Sequence, residues 1–365
     1  MFIYICLLLI VPVLSFMSGS FRSEDKKRKF FIFSFSFLLF LLFVLRDYSV
    51  GRDLHAYKDV YDIAGGNNWF DVSWIYMEPG YVFLMKLGSY LGLSFRLFLC
   101  FCYLVIIIPL AFYIHRYSKD IALSIIIYIC LHFFIFNMSG LRQSMAMSLC
   151  LTAFMIAQRN GLTNFVLFTF FVVLAALIHK SAYVFLPAYF IMRIPLSGKL
   201  LFLYLVLAII GNIQGFAILQ SLQEQELTSY EYNEALTIGP SFFMLLCFLF
   251  LSFILSRKES HQSFRISNMF SSKSDAITLS IGNYANVLAV AILVLATLSG
   301  SVLMRAATYY EPVFLILIPE LLSRASRNSR LYKMVFIIIM LGIFYFTVLV
   351  PNQFDIIPYK IASDL

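Results

Sequence analysis

The segment Asn137-Met138-Ser139-Gly140-Leu141-Arg142-Gln143 lies between two apolar runs, and Ser139 or Gly140 is placed to cap the second as a helix. Arg142 and Gln143 then fall in its first turn, beside free backbone N–H groups and the positive end of the helix dipole. Arginine added to that location makes an anion site, and phosphate is the anion it suits best. Related pieces recur along the chain. Arg46 stands where an apolar run ends. Arg305 and Tyr309 are spaced i, i+4, so a helix would aim them the same way, with Tyr310 beside them. Asp53, Tyr57 and Tyr61 follow i, i+4, i+8 and would share one helical face. Glu78 precedes Pro79-Gly80, a turn that would launch another helix. His179 ends an apolar run and opens the short turn His179-Lys180-Ser181-Ala182.

Each of these residues also has a plainer role. An arginine at the end of a membrane span snorkels to the headgroups. Tyrosine at the interface belongs to the aromatic belt. A lone histidine at a helix end packs or hydrogen-bonds, and Lys180 suits an interfacial anchor. Asp47, Asp59, Asp62, Asp71 and the group Glu224, Glu226, Glu231 and Glu234 read as solvated loop charge. The sharper reading rests on coincidence: three separate arginines, a histidine and two carboxylates fall on one side of the chain's alternation, with no comparable set on the other.

That alternation comes from the elements that must carry these residues. Of 365 residues, 61% are hydrophobic and 13% charged, with 40 Phe, more apolar surface than a soluble domain of this size can hide. Apolar runs near span length recur throughout, so the sequence predicts an all-α polytopic integral membrane protein forming a single membrane domain over 1–365. Spans are expected at 1–18, 30–45, 97–114, 121–136, 141–157, 164–178, 181–192, 200–218, 240–256, 276–299, 309–322 and 334–350. The first run has no basic region before it and the cluster Arg22, Lys26, Lys27, Arg28, Lys29 after it, which reads as a membrane helix with its N-terminus outside rather than a signal peptide.

Residues 79–92 decide the parity of everything downstream. If they do not span, the inner loops hold 18 of the 27 Lys and Arg; if they do, the bias reverses. The segment is also short, with Lys86 and three glycines inside it. It is therefore read as a re-entrant or interfacial helix on the outer face. The expectation is twelve spans, both termini outside, a large outer loop over 46–96, a smaller one over 219–239 and a basic inner loop over 257–275. Every candidate residue above then faces outward.

Several function classes are excluded. The net charge of +8 sits in short loops, where it orients helices beside anionic lipid, and is no nucleic-acid signature. No phosphate-cradling glycine loop, HExxH or Gly-x-Ser-x-Gly is present. The five histidines are scattered over both faces and a span interior, and all six cysteines lie inside apolar runs, so neither a metal site nor a disulfide is expected. No cofactor is implied.

Taken together, Arg46, Gly51-Arg52-Asp53, Tyr57, Glu78-Pro79-Gly80-Tyr81, Leu141-Arg142-Gln143-Ser144-Met145-Ala146, His179-Lys180-Ser181-Ala182 and Arg305 with Tyr309-Tyr310 resemble the EpsG-like family of bacterial exopolysaccharide and O-antigen polymerases (Wzy-type). The likeness covers about residues 30–360, and Gly-Arg-Asp replaces the Gly-Thr-Asp common in that family, which leaves Arg52 without an assigned role. It implies a membrane-embedded, GT-C-like glycosyltransferase of the bacterial inner membrane. Such an enzyme joins oligosaccharide repeat units carried on undecaprenyl diphosphate at the periplasmic face. Donor and acceptor are then both lipid-linked oligosaccharides, membrane lipid is a partner, and a chain-length regulator protein is a further one. Arg46, Arg142, Gln143 and Arg305 would hold the diphosphate; Asp53, Glu78 or His179 would act as base toward the acceptor hydroxyl; Tyr57, Tyr309 and Tyr310 would meet sugar rings. Arginines can neutralise a diphosphate in place of Mg²⁺, so metal-independent transfer is expected. An O-antigen ligase, another lipid-linked-sugar transferase, a membrane acyltransferase and a lipid-linked oligosaccharide flippase stay open beside it.

Overall fold

The computed structural model of the chain describes residues 2–66, 77–210, 240–256, 279–297, 306–324, 329–352 and 354–362. The segments expected as an outer loop, 219–239, and an inner loop, 257–275, lie outside the described residues, as do Trp69, Trp74 and Arg305. Among those described, the chain is all-helical, with one isolated antiparallel bridge between Arg46 and Ile361.

In chain order the main helices are α1 (Phe2–Ser18), α2 (Glu24–Val44), α3 (Leu54–Gly66), α4 (Pro79–Tyr90), α5 (Phe95–Tyr117), α6 (Ile121–Cys130), α7 (His132–Ser139), α8 (Leu141–Ala157) and α9 (Leu162–Ile178). A 3₁₀ turn (Lys180–Phe185) and α10 (Ala188–Ile191) follow, then α11 (Gly198–Ile210), α12 (Pro240–Ser256), α13 (Ile281–Thr297), α14 (Phe314–Arg324) and α15 (Ser329–Phe344). Local chemistry explains the sharper boundaries. Ser94 caps α5 by accepting from the Leu97 N–H, and Asp120 caps α6 by accepting from the Leu123 N–H. His115 and Arg116 sit in the last turn of α5, where the helix dipole favours cations.

Among the described residues two helices are long and apolar enough to cross a bilayer outright, Phe95–Tyr117 and Arg330–Leu349; α6 with α7 makes a third if the bent pair counts as one span. Shorter apolar helices make up most of the remainder. The expected span 121–136 is thus broken. Leu131 adopts an extended backbone, and the two halves diverge by 54°. Neither Gly nor Pro marks that break. The expected span 181–192 is corrected more strongly: it is a 3₁₀ turn and a four-residue helix separated at Pro187. Proline has no N–H to continue a helical ladder.

The chain divides into two compact units. The first comprises Met1–Thr152, Phe171–Lys180 and Leu322–Leu365. Here α2 packs on α5 through Phe43, whose ring stacks on Tyr103 at 4.7 Å and on Phe134 at 5.7 Å. Between membrane helices such shape-matched contacts matter, because lipid offers no hydrophobic drive for association. The C-terminal tail laces onto the segment after α2: Asp47 N donates to Lys360 O, Gly51 N to Asp355 O, Arg52 N to Phe354 O and Ala362 N to Leu45 O. The tail is further held by Tyr4 Oη on Ile356 O at 2.6 Å and Tyr359 Oη on Leu42 O at 2.8 Å. Elsewhere in the unit Lys333 pairs with Asp120 at 2.8 Å, and Arg28 donates to the carbonyls of His115 and Ser118.

The second unit comprises Ala153–Phe170 and Ser181–Leu321. Its irregular stretch around 180–196 carries carbonyls that a helix would have satisfied, and side chains replace the missing bonds. Asn286 Nδ2 donates to Ile191 O and Ile194 O, each at 2.9 Å, and its Oδ1 accepts from Tyr204 Oη at 2.9 Å. Buried Arg193 donates to Ala157 O, Arg159 O and Tyr189 O and stacks on the Tyr189 ring. Non-helical backbone in a membrane protein needs this kind of repair.

Gly80 marks a close approach of α4 to α9. A Cβ there would sit 2.7 Å from Leu177 O and 2.8 Å from Leu177 Cβ in α9. Gly80→Ala is expected to lower stability by about 1–3 kcal/mol through overpacking. Gly342→Ala in α15, where no atom lies within 4 Å, is expected to be neutral or stabilising. Thermal unfolding of the two variants side by side in detergent checks the contrast, and equal midpoints would refute the close approach.

Candidate functional site

The centre of the candidate site is a carboxylate. Glu78 closes the 46–78 connection and stands at the N-cap of α4, yet its side chain does not cap that helix. It reaches into the first unit instead, with only 10% of the side chain exposed. Oε2 pairs with Arg142 Nη1 at 2.5 Å. Oε1 lies 3.1 Å from His179 Nδ1 and accepts from the Lys180 backbone N–H at 3.2 Å. Local sequence explains how each donor arrives. Helix α7 ends at Ser139, Gly140 turns the chain, and α8 starts at once with Arg142 in its first turn; the Ser144 N–H donates to Gly140 O. The α9 ladder runs on to the His179 N–H, which donates to Ala175 O, and the chain then tightens into the 3₁₀ turn at Lys180.

At the start of α8, where the sequence suggested an anion site, Arg142 is paired with an anion of the protein's own, the Glu78 carboxylate. Burial disfavours the Glu78 carboxylate, but the bond from His179 and the charge of Arg142 outweigh it and hold its pKa down at about 2. A carboxylate this weakly basic is a poor proton acceptor and a good organiser.

Arg142 also faces α3. Its Nε stands 3.5 Å from Tyr57 Oη, and its guanidinium lies 5.7 Å from the Tyr57 ring centre. Burial raises the Tyr57 phenol pKa, opposed by Arg142 and reinforced by the Asp53 charge, so Asp53 bears on the same hydroxyl. Asp53 directly precedes α3 and is half-buried, and its backbone carbonyl accepts from the Tyr57 N–H. Asp53, Tyr57, Arg142, Glu78 and His179 form one connected set inside the first unit, drawn from four separated stretches of chain. Gln143, the next residue of α8, is buried at 3% exposure.

Three expectations change in detail. Tyr57 and Tyr61 do share a face, but it turns inward. Tyr57 meets Tyr81 edge-on at 5.8 Å, while Tyr61 packs on Phe98 at 4.9 Å and donates to Leu93 O. They are the aromatic core joining α3, α4 and α5, not an open sugar-stacking surface, because burying two rings there gains more than leaving them wet. Tyr309 and Tyr310 are likewise buried in the second unit. Tyr309 Oη meets Ser181 Oγ at 2.9 Å, and Tyr310 Oη donates to Val184 O at 2.6 Å, which ties down the 3₁₀ turn. Tyr309 lies in a turn rather than on a helix, and its expected i, i+4 partner Arg305 lies outside the described residues.

Arg46 is not at a membrane edge. It is 1% exposed, donates from Nη2 to Tyr103 Oη at 2.5 Å, and leaves Nε and Nη1 without hydrogen-bond partners. Tyr103 continues the chain by donating to Asn137 O, and Asn137 Nδ2 donates to Tyr128 Oη. Tyr103 and Tyr128 escaped the sequence reading, since a tyrosine inside an apolar run looks like any core aromatic. Their only sequence signal was a hydroxyl at span depth that needs a partner. Among the described residues no group of three His, Cys, Asp or Glu converges as metal ligands do.

Because the fold lowers the Glu78 pKa from its ordinary 4.5 to about 2, the ionised form stabilises the protein fully above the ordinary carboxyl range. That contribution is lost as pH falls from about 4.5 toward 2, and amounts to roughly 2–3 kcal/mol. Glu78→Gln is expected to lose stability at neutral pH and to flatten the acid limb of the stability–pH curve. Unfolding midpoints of wild type and variant across that range test it, and parallel curves would remove Glu78 from the role.

Three comparisons bear on this arrangement. No curated protein and no solved structure matches the chain. The family model described as EpsG family matches residues 29–361, a span that contains every residue of the Glu78 cluster. The all-helical chain that brings Arg142 and His179 onto one buried carboxylate belongs to the EpsG family.

Proposed function

We infer that the chain is, at the coarse level its family membership supports, a polysaccharide-polymerase-like glycosyltransferase. We propose, more narrowly, that the protein polymerises undecaprenyl-diphosphate-linked oligosaccharide repeats at the periplasmic face of the bacterial inner membrane. The twelve-span topology with outward termini and a GT-C-like architecture goes with it, as does re-entrant insertion of α4. The observation that carries the reading is the convergence of Arg142, His179 and the Lys180 N–H on Glu78, a cluster built to hold negative charge.

The chemistry is a glycosyl transfer. The anomeric carbon–oxygen bond to the donor's diphosphate breaks, with the electron pair leaving on the diphosphate. A new bond forms from that carbon to a hydroxyl of the acceptor repeat, whose proton passes to a base. Arg142 neutralises the departing diphosphate; losing one such preorganised donor typically costs about 10²–10³ in rate. Glu78 is the internal counter-ion that keeps Arg142 aimed before substrate arrives, and His179 and the Lys180 N–H keep Glu78 from following it. This leaves Asp53, half-buried at the start of α3 beside Tyr57, as the preferred base. Arg305 and Gln143 are further diphosphate donors in this reading, and Arg46 acts from a deeper layer through Tyr103. Tyr309 and Tyr310 shape the acceptor side by fixing the turn that follows Lys180. A chain-length regulator is the proposed protein partner.

The test is an assay of purified full-length protein in liposomes with lipid-linked repeats. Polymer ladders support the reading, transfer to lipid A core makes the protein a ligase, and movement without bond formation makes it a flippase. Arg142→Lys is expected to cut the rate by about 10²–10³, because Lys keeps the charge and loses the planar fork. Asp53→Asn should abolish transfer while lipid-linked repeats still bind; wild-type rate would exclude Asp53 as base. Polymerisation should survive EDTA, and rescue by one divalent ion would overturn metal independence. Topology is checked by labelling from outside at Arg52→Cys and Lys199→Cys in a cysteine-free background. Both sites are exposed, whereas Ser139 is buried. Labelling of Lys199→Cys without permeabilisation would sink the parity.

A further inference from the structure

Away from the Glu78 cluster, the start of α2 and the end of α5 enclose a cleft of about 510 Å³. Its walls carry Arg28, Lys29, Arg116 and Lys119 against a single carboxylate, Asp25. The charges are not equivalent. Arg28 is engaged by the carbonyls of Ser118, at 2.9 Å, and His115, so it clamps the two helices together. Lys29 pairs with Asp25 at 2.6 Å. Arg116 and Lys119 are exposed, and neither has an ion-pair partner among the described residues. The cleft therefore holds an excess of positive charge that the protein does not neutralise.

The surface leading to the cleft is apolar. Leu97, Phe101, Leu104, Ile108 and Phe112 are all exposed, between 44% and 61%, and recur at the i, i+4, i+7 spacing of one helical face. Four residues beyond Phe112 the same face reaches Arg116, and Lys119 follows. A greasy stripe that ends in a basic cleft matches an amphiphile with an anionic head and an acyl tail. It does not match a free anion, which would have no use for the stripe. We propose that this cleft is a binding site for the phosphate headgroup of an anionic phospholipid, with an acyl chain laid along the exposed face of α5. Basic pockets between membrane helices suit such headgroups, and each nearby Lys or Arg strengthens the attraction. The site is separate from the glycosyl-transfer residues and does not depend on their assignment.

Native mass spectrometry of the full-length protein in detergent tests it, with added phosphatidylglycerol, phosphatidylcholine or inorganic phosphate as probe. Phosphatidylglycerol should bind and phosphatidylcholine should not compete. The triple variant Lys29→Gln, Arg116→Gln, Lys119→Gln should weaken phosphatidylglycerol binding about tenfold or more. The control triple Arg159→Gln, Lys199→Gln, Arg330→Gln removes the same charge from other exposed positions and should change it less than about twofold. Equal losses in both triples would reduce the effect to diffuse attraction and overturn the site. Inorganic phosphate displacing the lipid at equal concentration would show a free-phosphate site and overturn the lipid assignment. Should the cleft triple unfold, single Arg116→Gln and Lys119→Gln variants read the same outcome, since both side chains are exposed.

Discussion

The interaction on which the rest of this structure turns is the burial of the Glu78 carboxylate. A nearly dry negative charge is costly unless it is paired and fully hydrogen-bonded. That requirement sets the positions of three otherwise unrelated stretches: the first turn of α8, the end of α9, and the 3₁₀ turn that follows it. Arg142 contributes charge, His179 a ring nitrogen and Lys180 a backbone N–H. Each would be unremarked alone. Together they hold the carboxylate ionised, and its charge in turn holds the guanidinium in one orientation. The same contact that stabilises the resting protein thus fixes the direction of a guanidinium.

A second theme is that polar side chains complete what broken helices leave undone. Pro187 interrupts the second unit and Leu131 the first. In water the exposed carbonyls would be solvated at little cost. In a bilayer they need partners within the protein. Asn286 and Arg193 supply them in the second unit by donating to carbonyls around the interruption. The Arg46–Tyr103–Asn137–Tyr128 chain does comparable work in the first, although two nitrogens of Arg46 remain without partners. Interhelical hydrogen bonds in membrane proteins average only about 0.6 kcal/mol, so these contacts matter more for avoiding unsatisfied groups than for net gain.

The two basic regions divide the electrostatics between them. At the Glu78 cluster a half-buried arginine is matched by a buried carboxylate, which fixes its geometry. At the α2–α5 cleft the cations are exposed and outnumber the single carboxylate, which makes that region open to a mobile anion. Lysine and arginine at exposed rims interact weakly and are screened by salt. It is the apolar stripe beside the cleft that gives it a definite ligand chemistry.

Composition and spacing alone determined that the chain is helical and apolar, and where most helices lie. Expected boundaries at 141–157 and 240–256 coincide with α8 and α12, because membrane-length runs of Leu, Ile and Phe leave the backbone no alternative. Sequence also placed Arg142 in a first helical turn, a local consequence of Ser139-Gly140. It did not join Arg142 to Glu78 or Glu78 to His179, since pairs 64 and 102 residues apart, the latter reaching the Lys180 N–H, meet only through packing. Nor did it show that Tyr57 and Tyr61 face inward: helical spacing sets which residues share a face, and the neighbouring helix decides what that face meets. The same limit applies to 181–192, where apolar content suggested one continuous membrane helix and the chain instead forms a 3₁₀ turn and a short helix parted at Pro187. Periodicity reports local conformation; only the tertiary structure decides which buried charge finds which partner.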